Sequence, residues 1–199
     1  MSTTNKPATR GRPRRFDPDE AIVQAQRLFH EKGYDGVSVA DLTQALGIRP
    51  PSFYAAFGSK LELYQRVLER YISTGAVLLH EILDGEQSLA VALTRVLEEA
   101  ARSYVADPSS TGCLVLEGTH SDDPQARAAA DRHHQTAQTL IRTHIAGRQP
   151  QRAQELADFV ITTMAGLSAS ARHGQSLERL LASARLAGLA LTQALHAET

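Results

Sequence analysis

Residues 46–60, LGIRPPSFYAAFGSK, gather side chains suited to touching DNA rather than to transforming a small molecule. Proline fits only the first turn of a helix and pushes its predecessor out of the α region, so Pro50-Pro51 predicts a short helix starting there. On its helical wheel Phe53 and Phe57 share one face, Pro51 and Ala55 lie nearly opposite, and Ser52 and Tyr54 flank them. The outward face is small and almost uncharged, which permits close approach. Joined through a Gly47 turn to a preceding short helix, it has the make-up of a helix-turn-helix whose second helix enters the major groove. On that reading Ala55 and the rings of Pro50 and Pro51 meet thymine methyls, Ser52 and Tyr54 bond base edges or phosphates, and Arg49 takes a guanine edge or a phosphate.

The net charge is −1, but its distribution is uneven. Basic residues outnumber acidic ones up to residue 70, and the reverse holds beyond it. In the first fifteen residues Lys6, Arg10, Arg12, Arg14 and Arg15 meet no acid, the footprint of an arm that binds a polyanion. Arg-Gly-Arg-Pro at 10–13 is similar to the core of an AT-hook, whose arginines lie in a narrow minor groove. The plainer alternative is a solvated tail attracted to any phosphate backbone.

A second set of reactive types lies further on: Tyr104, Cys113, Glu117, His120 and His133, with His134 adjacent. Cys113 is the single cysteine, which excludes an intrachain disulfide and a cysteine-based zinc site. Its thiol suits redox or electrophile sensing, or simply core packing. His133 and His134 point about 100° apart on a helix, and no pair among Glu117, His120, His133 and His134 has the i, i+4 spacing of a helical metal clip. The set therefore reads as lining for a small-molecule pocket, with no metal and no cofactor. An enzyme or ligand carrier using Cys113 or the His/Glu cluster is the competing reading. No nucleophile elbow, phosphate loop or metal-binding helix motif supports it.

The elements that must position these groups are helical. The chain has 199 residues, no tryptophan, few β-branched clusters and much Ala, Leu, Gln, Arg and Glu, so an all-α protein is expected. Asp17-Pro18, Ser38 with Asp41, and Ser59 with Glu62 are helix-start signals. They predict helices from 18 to 32, from 39 to 46 and from 59 continuously to 83. Later helices are expected over 88–106, from Asp123-Pro124, from Pro150 to about His173, and from Ser176. The basic N-terminus has no apolar run behind it, which points to the cytoplasm and away from a membrane.

Residues 16–64 carry Gly-Tyr-x-Gly-x-Ser-Val at 33–39, Leu-Gly-Ile at 46–48 and Ser-Phe-Tyr-x-x-Phe-x-Ser-Lys at 52–60, and resemble the TetR/AcrR regulators. The resemblance implies a homodeomain-like three-helix DNA-binding domain at 16–64, preceded by a disordered arm at 1–15. Residues 65–199 would be a helical ligand-binding and dimerisation domain. It implies a homodimer on double-stranded operator DNA, usually as a repressor, released by an unidentified small molecule. By motif, Ser38 and the neighbouring Val39 start the second helix against a phosphate, Tyr54 contacts the backbone, and Lys60 binds a phosphate. Ala55, Ala56 and Pro50-Pro51 depart from the usual pattern and remove polar reach. The last two helices carry small-residue stripes suited to a four-helix interface, with Phe159, Thr163, Leu167, Leu180, Ala184, Gly188 and Leu191 as candidates.

Overall fold

The computed structural model describes residues 17–74, 77–85 and 87–196. The arm arginines Arg10, Arg12, Arg14 and Arg15 lie outside the described residues. Among the described residues all regular structure is helical: α1 Pro18–Lys32, α2 Val39–Leu46, α3 Pro50–Phe57, α4 Lys60–Thr74, α5 Leu79–Leu83, α6 Leu89–Ser103, α7 Leu114–Gly118, α8 Pro124–Ala146, α9 Ala153–Arg172 and α10 Leu177–His196.

The local chemistry explains the starts. Asp17 Oδ1 accepts from Asp19 N at 2.9 Å, and Asp123 Oδ1 accepts from Gln125 N and Ala126 N. Ser38 and Asp41 form a reciprocal capping box, and Ser59 Oγ accepts from Glu62 N at 3.1 Å. Pro150 opens a single 3-10 turn before α9.

The expected continuous helix over 59–83 is instead two helices. α4 ends where the Ser73 and Thr74 hydroxyls both donate to the Arg70 carbonyl, at 2.9 and 2.8 Å. Such side-chain bonds compete with the helical ladder, and glycine follows in the sequence.

Two apolar cores result. The first collects Phe29 of α1, Leu42 of α2, Phe53 and Phe57 of α3, and Leu63, Tyr64 and Leu68 of α4. It also takes in Ala126, Ala129 and Ala130 of α8. Phe29 and Tyr64 meet edge to face with ring centroids 5.1 Å apart, a contact worth about 0.5–1.5 kcal/mol beyond its buried area. The second core packs α5, α6, α8, α9 and α10 around Leu93, Val96, Leu97, Ile141 and Val160.

Candidate nucleic-acid interface and cavity

The turn between α2 and α3 depends on Gly47, whose φ of 65° is left-handed. Arg49 caps α3 without a side-chain hydrogen bond, and Pro50 opens the helix. Phe53 and Phe57 are fully buried, while Arg49, Pro50, Pro51, Ser52, Tyr54 and Ala55 are exposed together on the opposite side. Tyr54 is 52% exposed, and its ring meets Phe53 edge to face at 5.5 Å, which steadies it. The wheel drawn from the sequence thus matches the burial pattern.

At the flanks the picture is less open. Ser38 is exposed, but its hydroxyl donates to Asp41 Oδ2 at 2.6 Å and accepts from Asp41 N, so its proton is already committed. The Ser38 hydroxyl and the Ser38 N–H, both donating to Asp41 Oδ2, hold the Asp41 carboxyl below its usual range. Val39 is half-buried. The Lys60 ammonium lies 3.9 Å from the centroid of the Tyr34 ring, with Asp35 and Asp123 nearby. Burial pushes its pKa down, and the two carboxylates oppose that. To reach a phosphate, Lys60 must leave this ring.

Behind the helix-turn-helix lies a cavity of about 270 Å³. Tyr71 of α4, Tyr104 at the end of α6 and Cys113 at the start of α7 line it with His133 and His134 of α8. Ile72, Leu79, Leu140, Ile161 and Met164 contribute apolar wall. Burial raises the Cys113 thiol and both tyrosine hydroxyls, and lowers His133 and His134, so at neutral pH these groups carry no charge.

Of the sequence candidates, Tyr104, Cys113 and His133 converge on this cavity, and two do not. Glu117 turns the other way along α7 and pairs with Arg172, whose Nε lies 3.2 Å from Glu117 Oε2. His120 is exposed, with its ring Nδ1 3.0 Å from the Leu116 carbonyl. Cys113 is the extended cap before α7 rather than part of its turn, and Arg172 holds Glu117 away from the cavity. Tyr71 was absent from the candidate set, and the apolar stripe of its helix alone does not distinguish wall from core; His133 and His134, expected to diverge along their helix, both line the cavity.

A junction ties the cavity to α1. The His30 ring Nε2 lies 3.2 Å from the Gly112 carbonyl, and Arg172 Nη2 donates to the His30 carbonyl at 3.0 Å. The Cys113 N–H donates to Ser168 Oγ at 2.9 Å. Gly112 has φ 83°, and a Cβ there would sit 2.8 Å from Arg172 Cγ, so both backbone and space demand glycine. Asp35 accepts from Ser121 Oγ and Asp122 N, at 3.0 and 2.9 Å. His30 is held neutral mainly by burial and then by Arg172.

The expected interface residues divide. Leu167, Leu180, Ala184, Gly188 and Leu191 are buried within the chain itself. Gly188 lets α10 approach α6 so closely that a Cβ would meet Thr94 Cγ2 at 2.6 Å. That stripe is therefore intrachain packing, a correction to its assignment as a surface between copies. Thr163 is half-buried and donates to the Phe159 carbonyl. Phe159 is 40% exposed, and α10 turns outward two residues that the sequence reading missed, Leu186 at 68% and Leu189 at 66% exposure.

Residues 21–67, which hold α2, the turn and α3, match the family described as "Bacterial regulatory proteins, tetR family". The chain is 51% identical over 191 residues to the HTH-type transcriptional repressor BdcR of Escherichia coli (strain K12), covering 96% of this chain and 97% of that one. The chain belongs to the TetR family. It is a helix-turn-helix, DNA-binding transcriptional regulator, and its family is one of regulators rather than enzymes. A second relative, the HTH-type transcriptional repressor ComR of the same strain, is 33% identical, covering 87% of this chain and 88% of its own. Among solved structures, the TetR family transcriptional regulator CifR, as a cysteine mutant complexed with a 26-bp double-strand operator, superposes with a TM-score of 0.81. Its identity is 35%, and the match covers 90% of this chain and 99% of that one. Among the described residues of this TetR regulator, no helix is long and apolar enough to cross a membrane, and no three metal-ligating side chains gather into a site.

Proposed function

We propose that this regulator is a homodimeric repressor that binds a pseudopalindromic operator through paired α3 helices and leaves it when a small molecule enters the cavity. The exposed, nearly uncharged face of α3, backed by buried Phe53 and Phe57, is the observation that carries this reading. Pro50, Pro51 and Ala55 offer methylene and methyl contacts to thymine, while Arg49, Ser52 and Tyr54 supply polar contacts at the edges. With so few polar groups mid-helix, DNA shape and the basic arm at 1–15 carry part of the specificity. Ser38, Val39 and Lys60 flank the phosphates. Dimerisation uses the outer faces of α9 and α10, through Phe159, Leu186 and Leu189, and residues 65–199 form the effector and dimerisation unit.

The cavity wall supports the regulatory half. Cys113 follows Gly112 directly, and Gly112 is bonded to His30 of α1, so displacement at the cavity reaches the DNA-binding helices through one residue. α4 adds a second route, since Tyr71 lines the cavity and Lys60 begins the same helix. A coupling of about 1–3 kcal/mol between the two sites suffices for regulation. Resemblance to BdcR and ComR favours repression, and likeness to BdcR favours targets related to biofilm dispersal.

The test is selection of bound duplexes from a random pool, followed by a salt titration of the winner. A palindrome whose affinity falls steeply with salt is expected. Recovery of no motif, or of equal affinity for all duplexes, refutes operator reading by α3.

A further inference from the structure

Two phenol hydroxyls, from Tyr71 and Tyr104, stand in a cavity whose wall is otherwise mostly apolar. Tyr71 and Tyr104 are 4% and 2% exposed, and both line the cavity together with Cys113. A phenol hydroxyl is a strong donor and a thiol a weak acceptor, so Cys113 is a poor partner for either tyrosine.

Charge is absent from the same region. No lysine or arginine is among the described lining residues, and Glu81 is the one carboxylate among them, exposed alongside His80 and Thr136. Arg172, outside this lining, is engaged by Glu117 and the His30 carbonyl. An anion would find no counter-charge among these residues, and a cation would find a single carboxylate, on the exposed Glu81.

Size sets the remaining limit. A dry apolar cavity of about 150 Å³ holds benzene, and this one measures about 270 Å³. Resting on the reading of this cavity as the effector site, we propose that it takes an uncharged, mostly apolar molecule of roughly ten non-hydrogen atoms with one hydrogen-bond-accepting oxygen, such as a ketone or ether. The oxygen accepts from the Tyr71 and Tyr104 hydroxyls, and the carbon skeleton lies between Leu79, Val115, Leu140, Ile161 and Met164. A carbonyl oxygen has two lone pairs and can satisfy both phenols at once.

The experiment titrates the full-length protein with four probes of matched size: benzylacetone, butylbenzene, hydrocinnamate and phenylpropylamine, followed by calorimetry. Benzylacetone is expected to bind at least tenfold more tightly than the other three. Tyr71→Phe and Tyr104→Phe should each weaken benzylacetone by about two- to tenfold, the value of one hydrogen bond, and leave butylbenzene unchanged. A variant that merely loosened the fold would weaken both probes alike. Equal or tighter binding of the carboxylate or the amine overturns the proposal, as does indifference to both tyrosine changes or no binding of any probe. Operator release measured in parallel separates the two readings. Benzylacetone binding with unchanged operator affinity keeps the ligand class and sinks effector release. Release by a charged compound with benzylacetone inert does the opposite.

Discussion

Replacing Leu186 and Leu189 together by serine should dissolve the dimer while leaving the subunit folded. Both side chains stand outward on α10, 68% and 66% exposed, so folding of one chain gains little from them. Fully burying a leucine contributes about 1.5–3 kcal/mol, and two-thirds of that surface is still to be covered, which leaves about 1–2 kcal/mol for each side chain. A two-fold interface uses each position twice, so the double variant forfeits about 4–8 kcal/mol of association free energy. At about 1.4 kcal/mol per tenfold, the dimer dissociation constant rises by at least about a thousandfold. Sedimentation equilibrium across a dilution series reads this directly, and thermal melting monitored by circular dichroism checks the fold. Operator binding should lose its affinity at the same concentrations at which the dimer disappears. A double variant that remains dimeric at nanomolar concentration refutes the assignment of this face. Leu180→Ser is the control, since Leu180 is fully buried within the chain and its loss should lower stability instead.

Other outcomes follow from the same structure. Phe53→Ala should cost about 3–5 kcal/mol of folding free energy in urea denaturation, whereas Ser52→Ala and Tyr54→Phe should stay within about 0.5 kcal/mol and weaken operator binding in a gel-shift titration. Gly118→Ala should destabilise by about 1–3 kcal/mol, because its methyl would collide with the fully buried Tyr64 hydroxyl and with Ala130; urea midpoints check it. His30 has a folded-state pKa below its unfolded value of about 6.5, so the unfolded chain binds the extra proton first. Its contribution is complete above pH about 6.5 and is lost as pH falls from there toward the folded value. Denaturation of wild type and His30→Gln at several pH values should therefore converge on acidification, and a constant difference between them would contradict the burial argument.

How much of this was legible in the sequence depends on whether a residue acts locally or across the fold. The caps at Asp17, Ser38, Ser59 and Asp123 are local, and all four form as read. The reading helix was legible too, because two prolines and two phenylalanines in eight residues leave one arrangement of faces. The end of α4 was missed because the apolar period continues past Thr74, while the hydroxyl bonds that stop the helix give no periodic signal. The face of α10 was misjudged for a related reason. This helix carries two apolar stripes, and small residues at 184 and 188 are as good for packing on α6 as for meeting another chain. Only the position of α6 decides between them. Glu117 and His120 looked like companions of Cys113 by proximity in the chain, but Glu117 pairs with Arg172 and the His120 ring lies against the Leu116 carbonyl. Conversely, Tyr71 and Tyr104 come from distant segments, and their meeting at Cys113 is visible only in three dimensions.

The eight-residue reading helix keeps its two duties on opposite sides. Phe53 and Phe57 hold it to the core, and the residues that face DNA contribute almost nothing to that core. Substitutions at positions 52, 54 and 55 are therefore nearly free of folding consequences. A lineage, or an engineer, can retarget this protein to a new operator one exposed side chain at a time, without passing through unfolded intermediates in sequence space. The proline pair sets the limit of that freedom, because it fixes the angle at which every such replacement would be presented.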